Sequence, residues 1–169
     1  VGKALLEPPE CAAMDLALYR AMKTHQKSPY ETGKVLYDAI VAAPPPPPIP
    51  PSERLTPEQL MQRRRADAER SQRREHAMDF VYELVEGDGV TFDYGYNFFE
   101  CATQKFYRQQ HAEAFPPYHC FLDYPKGERV GLGLRRSETL AQGGDKCDHR
   151  FIEGGKADQT WPPDFALKR

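Results

Sequence analysis

The chain of 169 residues carries 23 Lys and Arg against 25 Asp and Glu, a formal charge of −2, and is 40% hydrophobic. That balance removes any global electrostatic pull toward nucleic acid or an anionic membrane, and no apolar run approaches the roughly 18–20 residues needed to span a bilayer. The length suits a single domain with one hydrophobic core and short appendages.

Between residues 11 and 43, apolar side chains recur at helical spacing: Met14, Leu16, Leu18 and Met22, then Val35, Leu36 and Ile40. Ser28-Pro29 interrupts the pattern and supplies a cap followed by proline at a first helical position. Two helices in an antiparallel pair are expected. Residues 44–55 form a proline-rich linker. Seven prolines from Pro44 to Pro51 are broken only by Ile49, which predicts stiff polyproline II. A spacer across the surface is favoured there over an SH3-type ligand.

Thr56-Pro57-Glu58-Gln59 is a helix start with a capping hydroxyl and an early proline. The helix expected over 56–76 holds Arg63, Arg64, Arg65, Arg70, Arg73 and Arg74 interleaved with Asp67, Glu69 and Glu75. It reads as a solvated face laced with ion pairs four residues apart.

At Met78 the pattern changes. MDFVYELVEG and VTFDYGYNFFE alternate as strands around Gly87-Asp88-Gly89. CATQKFYRQQH and PPYHCFLDYP read as helices. Gly131–Leu140 and Lys146–Glu153 form a second strand pair. The predicted fold class is α+β: a small, mostly antiparallel four-stranded sheet of two hairpins with two interleaved helices, preceded by N-terminal helices. Residues 78–154 are the hairpin-helix-hairpin core, and 155–169 form a tail, with the single Trp161, expected to fold over the surface.

Four cysteines stand at 11, 101, 120 and 147. No leader-like segment follows Val1, so free thiols and a cytoplasmic location are expected. No C-x-x-C pair supplies zinc spacing, and neither metal nor cofactor is expected. Cys101 follows a strand at a helix start, where backbone N–H groups and the helix dipole lower a thiol pKa; packing is the competing reading. Cys120 is expected in the first turn of the second helix, with Asp123 three residues on and Tyr118 adjacent. In KCDHRF, alternate side chains share a face, so Cys147 and His149 point one way and Asp148 the other. Whether the thiol and imidazole form a nucleophile–base pair or pack side by side is left open by spacing alone.

Taken in order, MDFVYELVEGDG, FDYGYNFFEC, PYHCFLD and GLGLRRSETLAQGGDKCDHRF resemble the L-2-amino-thiazoline-4-carboxylic acid hydrolase family. The likeness runs from about Asp15 to Gly154 and is dense from Met78 onward. It implies a hydrolase that opens a cysteine-derived heterocycle at its C=N bond to give a carbamoyl-cysteine. It also implies that Asn97, Glu100, Cys101, Cys120, Asp123, Cys147 and Asp148 are the positions to follow. The chain departs from the pattern in four places: an aromatic residue is usual where His149 stands and glycine where His111 stands, the proline run reads as an insertion, and the N-terminal part reads as shorter.

The expected catalytic set is therefore Cys101, Cys120, Cys147, Asp123 and His149, with Asn97, Glu100, Tyr96, Tyr118 and Asp148 as substrate-binding residues. The expected partner is a small molecule, with a homodimer as the expected assembly. Three functions compete. The first is thiol- or carboxylate-assisted hydrolysis, with Asn97 and backbone N–H groups stabilising negative charge. The second is a lyase, cyclase or isomerase of a polyketide-like metabolite using His149, Tyr118, Tyr96 and Asp123. The third is a binding module that docks through its proline run.

Overall fold

The computed structural model describes residues 9–167. Two helices, α1 (Pro9–Thr24) and α2 (Pro29–Ala42), open the chain. The turn between them is set by a capping box: Ser28 Oγ accepts from the Glu31 amide, and the Glu31 carboxylate accepts from the Ser28 amide. The buried stripe of α1 is Ala12, Leu16 and Tyr19, while Met14 is 74% and Val35 of α2 48% exposed. The sequence pattern had placed both of the latter in the packed face. Tyr19 supplies the anchor instead, stacked on Phe115 at 4.8 Å.

After the proline run, α3 (Pro57–Ser71) starts on a second capping box, between Thr56 and Gln59. Its outer face carries the expected ion pairs, Arg63–Asp67 and Arg70–Asp67 among them. Its inner face differs from expectation: Arg64 is buried, with its guanidinium carbon 3.4 Å from the centroid of the Tyr94 ring. A guanidinium stacks well on an aromatic face because it is planar and weakly hydrated.

Strands β1 (Val81–Glu86), β2 (Tyr94–Glu100), β3 (Leu132–Arg135) and β4 (Cys147–Glu153) form one sheet in the order β1-β2-β4-β3, antiparallel throughout. The two hairpins are joined through their second strands. The β2/β4 register sets Tyr94 opposite Phe151, Tyr96 opposite His149 and Phe98 opposite Cys147. With a period of two, all six share one face. At Gly95, on the other face, an added Cβ would stand 2.3 Å from the His149 carbonyl oxygen, so this close pairing admits only glycine.

Between the hairpins run α4 (Ala102–Gln109), α5 (Pro116–Phe121) and α6 (Asp123–Arg129). The single helix expected after Pro116 is two, divided at Leu122. His111, just past α4, has φ +53, the left-handed conformation that follows many helix ends and suits glycine. His111→Gly should raise thermal stability by ~0.5–1 kcal/mol, since a side chain in that region is strained and glycine is not; an unchanged or lower Tm would contradict it.

The tail is more deeply integrated than a surface wrap. Trp161 packs on Tyr30, Tyr37 and Phe121, its indole N–H donating to the Tyr30 hydroxyl at 3.2 Å. A short α7 (Asp164–Leu167) follows. Gly33 of α2 allows this approach, because a Cβ there would sit 2.9 Å from Tyr118 and 3.0 Å from Trp161. No helix among the described residues is long and apolar enough to cross a membrane.

Candidate functional site

One cavity gathers most of the reactive side chains. Its floor is the aromatic sheet face, Tyr94, Tyr96, Phe98, Cys147, His149 and Phe151. Its walls are Cys101 and Thr103 at the start of α4, His119 and Cys120 from α5, Asp123 at the start of α6, and Arg136 just after β3. Its volume is about 70 Å3, room for several waters at the ~10–15 Å3 that each requires, or for a small ring.

The polar centre is a trio. Arg136 Nη1 lies 3.2 Å from Asp123 Oδ2 and 3.2 Å from His149 Nε2, and Asp123 Oδ2 is 3.5 Å from His149 Nε2. Arg136 Nη2 also donates to the Cys120 carbonyl at 3.0 Å, fixing the end of α5. Burial works to raise the Asp123 carboxyl, but His149, Arg136 and Lys126 overrule it and hold it at about 2. Burial, assisted by the Arg136 charge, pushes His149 below its ordinary 6.5 against the pull of Asp123. The trio at neutral pH is therefore carboxylate, guanidinium and neutral imidazole. Because a guanidinium only donates, Nε2 accepts from Arg136 and the ring proton sits on Nδ1, which has no hydrogen-bond partner among the described residues. His149 also does the packing of an aromatic residue: it is edge-on to Phe98 at 5.1 Å and stacked near Phe151 at 6.0 Å. The ring thus packs as a flat aromatic one and carries two nitrogens into the site.

Cys101, Cys120 and Cys147 all line this cavity, and all three are free thiols. Their protonation does not follow the helix-start expectation. Cys101 is the N-cap of α4 and its Sγ accepts from the Gln104 amide at 3.4 Å, yet burial outweighs the Gln104 and Thr103 amides and raises its pKa. Cys120 sits near the end of α5, not in its first turn, and burial raises it well above the ordinary value. Burial pushes Cys147 to about 11 despite the Leu140 amide on its sulfur at 3.2 Å. Cys147 and His149 share a face but make no nucleophile–base hydrogen bond: sulfur turns to Leu140 and imidazole to Asp123 and Arg136. Alkylation at neutral pH, mapped by mass spectrometry, should leave Cys120 and Cys147 almost unmodified until the fold is denatured. Rapid labelling of either in the folded protein would overturn this assignment.

A second imidazole reaches the same cavity. His119, on α5, places Nδ1 2.9 Å from Asp15 Oδ2 on α1 and 3.1 Å from the Tyr107 hydroxyl. A carboxylate only accepts, so Nδ1 carries the proton shared with Asp15. The Tyr107 hydroxyl lies 3.3 Å from the Ala12 carbonyl and donates there.

Four expected binding residues lie elsewhere. Asn97 is on the opposite sheet face, its Oδ1 accepting from Arg150 Nη2 at 2.9 Å. Glu100 is at the surface, held by Lys105 Nζ at 2.6 Å and Arg74 Nε at 2.9 Å. Asp148 ties the β3–β4 connection, accepting from the Ser137 and Glu138 amides at 2.9 and 2.8 Å and from Ser137 Oγ at 2.6 Å. Tyr118 packs between Tyr30 and Phe165 in the helical cluster. Strand alternation accounts for Asn97 and Asp148; a motif spreads its residues over both faces. Only Tyr96 of the five lines the cavity.

Sequence reasoning passed over Arg136, His119 and Asp15. Arg136 stood inside GLGLRRSETLAQGG and His119 beside Cys120, so both had a local signal; Asp15, over a hundred residues from its partner, had none. No group of three or more His, Cys, Asp or Glu among the described residues is arranged to hold a metal ion. No protein-family model, curated protein or solved structure significantly matches the chain.

Proposed function

We propose that the protein is a cytoplasmic small-molecule hydrolase that adds water across the C=N bond of a thiazoline-type heterocycle, the activity implied by its resemblance to the aminothiazoline-carboxylate hydrolases. The observation that carries this reading is the convergence of a neutral imidazole, an ionised carboxylate and a guanidinium at an aromatic-floored cavity just large enough for a small ring. Water attacks the sp² carbon, and a cavity imidazole takes its proton. The ring nitrogen is protonated as its bond to that carbon breaks, and the water oxygen becomes the carbamoyl oxygen. Arg136 keeps Asp123 ionised 3.5 Å from His149 Nε2, the nitrogen that takes the proton and turns to the carboxylate once its bond from Arg136 is given up. The thiols, protonated by burial, line the cavity instead of leading the attack.

A second reading uses the same groups for lyase, cyclase or isomerase chemistry. It is favoured by the Tyr96 phenol, which burial holds above its ordinary pKa and so keeps as a proton donor. Turnover of 2-amino-thiazoline-4-carboxylate in heavy-oxygen water separates the two. Hydrolysis places one heavy oxygen in a ring-opened product. An unlabelled product, or no turnover of thiazoline substrates, would sink the hydrolase reading.

A further inference from the structure

We propose that residues 44–51 are a preformed docking ridge for a second protein, one that presents an aromatic-lined, acid-rimmed groove of the SH3 type. Polyproline II geometry brackets the ridge: Ala43, just before it, has φ −67 and ψ 142, and Pro50, near its end, φ −53 and ψ 142, and each proline between them has its φ fixed at about −65° by its ring. A strap that merely spans from α2 to α3 would lay its apolar rings against the core. Here every residue from Pro44 to Pro51 is exposed, Ile49 by 42%. The seven residues 44–50, before the 3-10 turn at Pro51–Glu53, give at ~3.1 Å each an apolar ridge about 22 Å long, enough for two turns of the three-residue repeat that such grooves grip.

Each end of the ridge carries a cation. Arg129, on α6, donates from Nη2 to the Pro44 carbonyl at 2.5 Å, and Arg54 donates from Nε to the Ile49 carbonyl at 2.9 Å. These bonds hold the ridge at both ends, so little conformational entropy remains to be lost on docking. They also place positive charge where an acidic rim would meet it. Glu53 is the acidic neighbour on the C-terminal side, and the two arginines outnumber it. The partner's aromatic rings would sit between proline rings on the outward side, away from the cavity, so docking and turnover are separable.

The test uses the full chain against purified SH3 domains with acidic rims, read by fluorescence anisotropy, with WW and EVH1 domains alongside. Saturable SH3 binding is expected, competed by a free peptide of residues 43–54. It should be weakened at least ~10-fold by Pro47→Ala with Pro50→Ala, the loss of two anchoring contacts, and weakened further as salt rises. Circular dichroism checks that the variant remains folded, which the exposure of both prolines favours. No binding by any SH3 domain, binding only by WW or EVH1 domains, or binding indifferent to the two substitutions would each overturn the proposal. Loss of turnover on thiazolines bears on the cavity alone and leaves these outcomes unchanged.

Discussion

Replacing Arg136 with Met should lower the stability of the protein by about 3 kcal/mol, the lower end of the ~3–5 kcal/mol seen when one partner of a buried ion pair is removed. The Arg136 side chain is 4% exposed and that of Asp123 20%. Without the guanidinium, the carboxylate would have to be protonated or face a low-dielectric wall alone. The loss is larger than one ion pair because Arg136 also satisfies the Cys120 carbonyl and lies 5.0 Å over the Tyr124 ring. At ~2–4 °C per kcal/mol for a chain of this size, Tm should fall by about 6–12 °C. Removing both charges, as in Arg136→Met with Asp123→Leu, should recover part of that, since an apolar pair carries no desolvation cost. Urea unfolding of the four proteins measures the cycle. A single variant within ~0.5 kcal/mol of the parent, the range of an unremarkable surface change, would mean that the pair carries little.

The same trio gives the pH dependence a definite sign. Asp123 has a folded pKa of about 2 against an ordinary 3.8, so its stabilisation is complete above the ordinary value and disappears as pH falls from there through 2. His149 is a base whose folded pKa is lowered. As pH falls below 6.5 the unfolded chain takes up the imidazole proton before the folded one does, and stability falls there too. His149→Phe should remove the upper of these two losses and shrink the lower, because His149 is the first of the groups that hold the Asp123 carboxyl down.

His149→Phe should also reduce turnover of a thiazoline substrate by ~10²–10⁴-fold, the usual contribution of a positioned acid–base group, while the fold survives. The expectation of survival rests on the ring's surroundings: Phe98 and Phe151 would pack on a phenyl much as they pack on the imidazole. In the parent, kcat/KM should be level above neutrality and fall on the acid side at a pKa below 6.5, as the base is protonated. Ala at Cys101, Cys120 or Cys147 should leave most of the activity, because burial keeps those thiols protonated. If one of these variants were dead and His149→Phe active, attack by sulfur would replace attack by water. His119→Gln is the companion variant, since that residue also lines the cavity.

The four strands and the order of the core elements are legible in local sequence, while the division of the helix after Pro116 at Leu122 is not. Ser28-Pro29 and Thr56-Pro57 wrote two helix starts in local chemistry, and the period of two in DYGYNFFE and KCDHRF wrote two strands. These features need only neighbours within a few residues, so they survive being read in one dimension. The same alternation sorted Cys147 and His149 onto one face and Asp148 onto the other, which the register of β2 against β4 then turned into a cavity floor.

Which of those side chains meet, and in what protonation state, depends on the packed fold. The resemblance implied Asn97 and Glu100 as site residues, and Arg150, Lys105 and Arg74 take them instead. The helix-start argument for Cys101 was sound as far as it went, but the dipole acts over one turn while burial acts from all sides, and burial prevails. The pairing of His149 with Arg136, and of His119 with Asp15, joins segments that the chain keeps 13 and 104 residues apart. Charge pairing across such distances depends on packing, which is a property of the whole fold and not of any stretch within it.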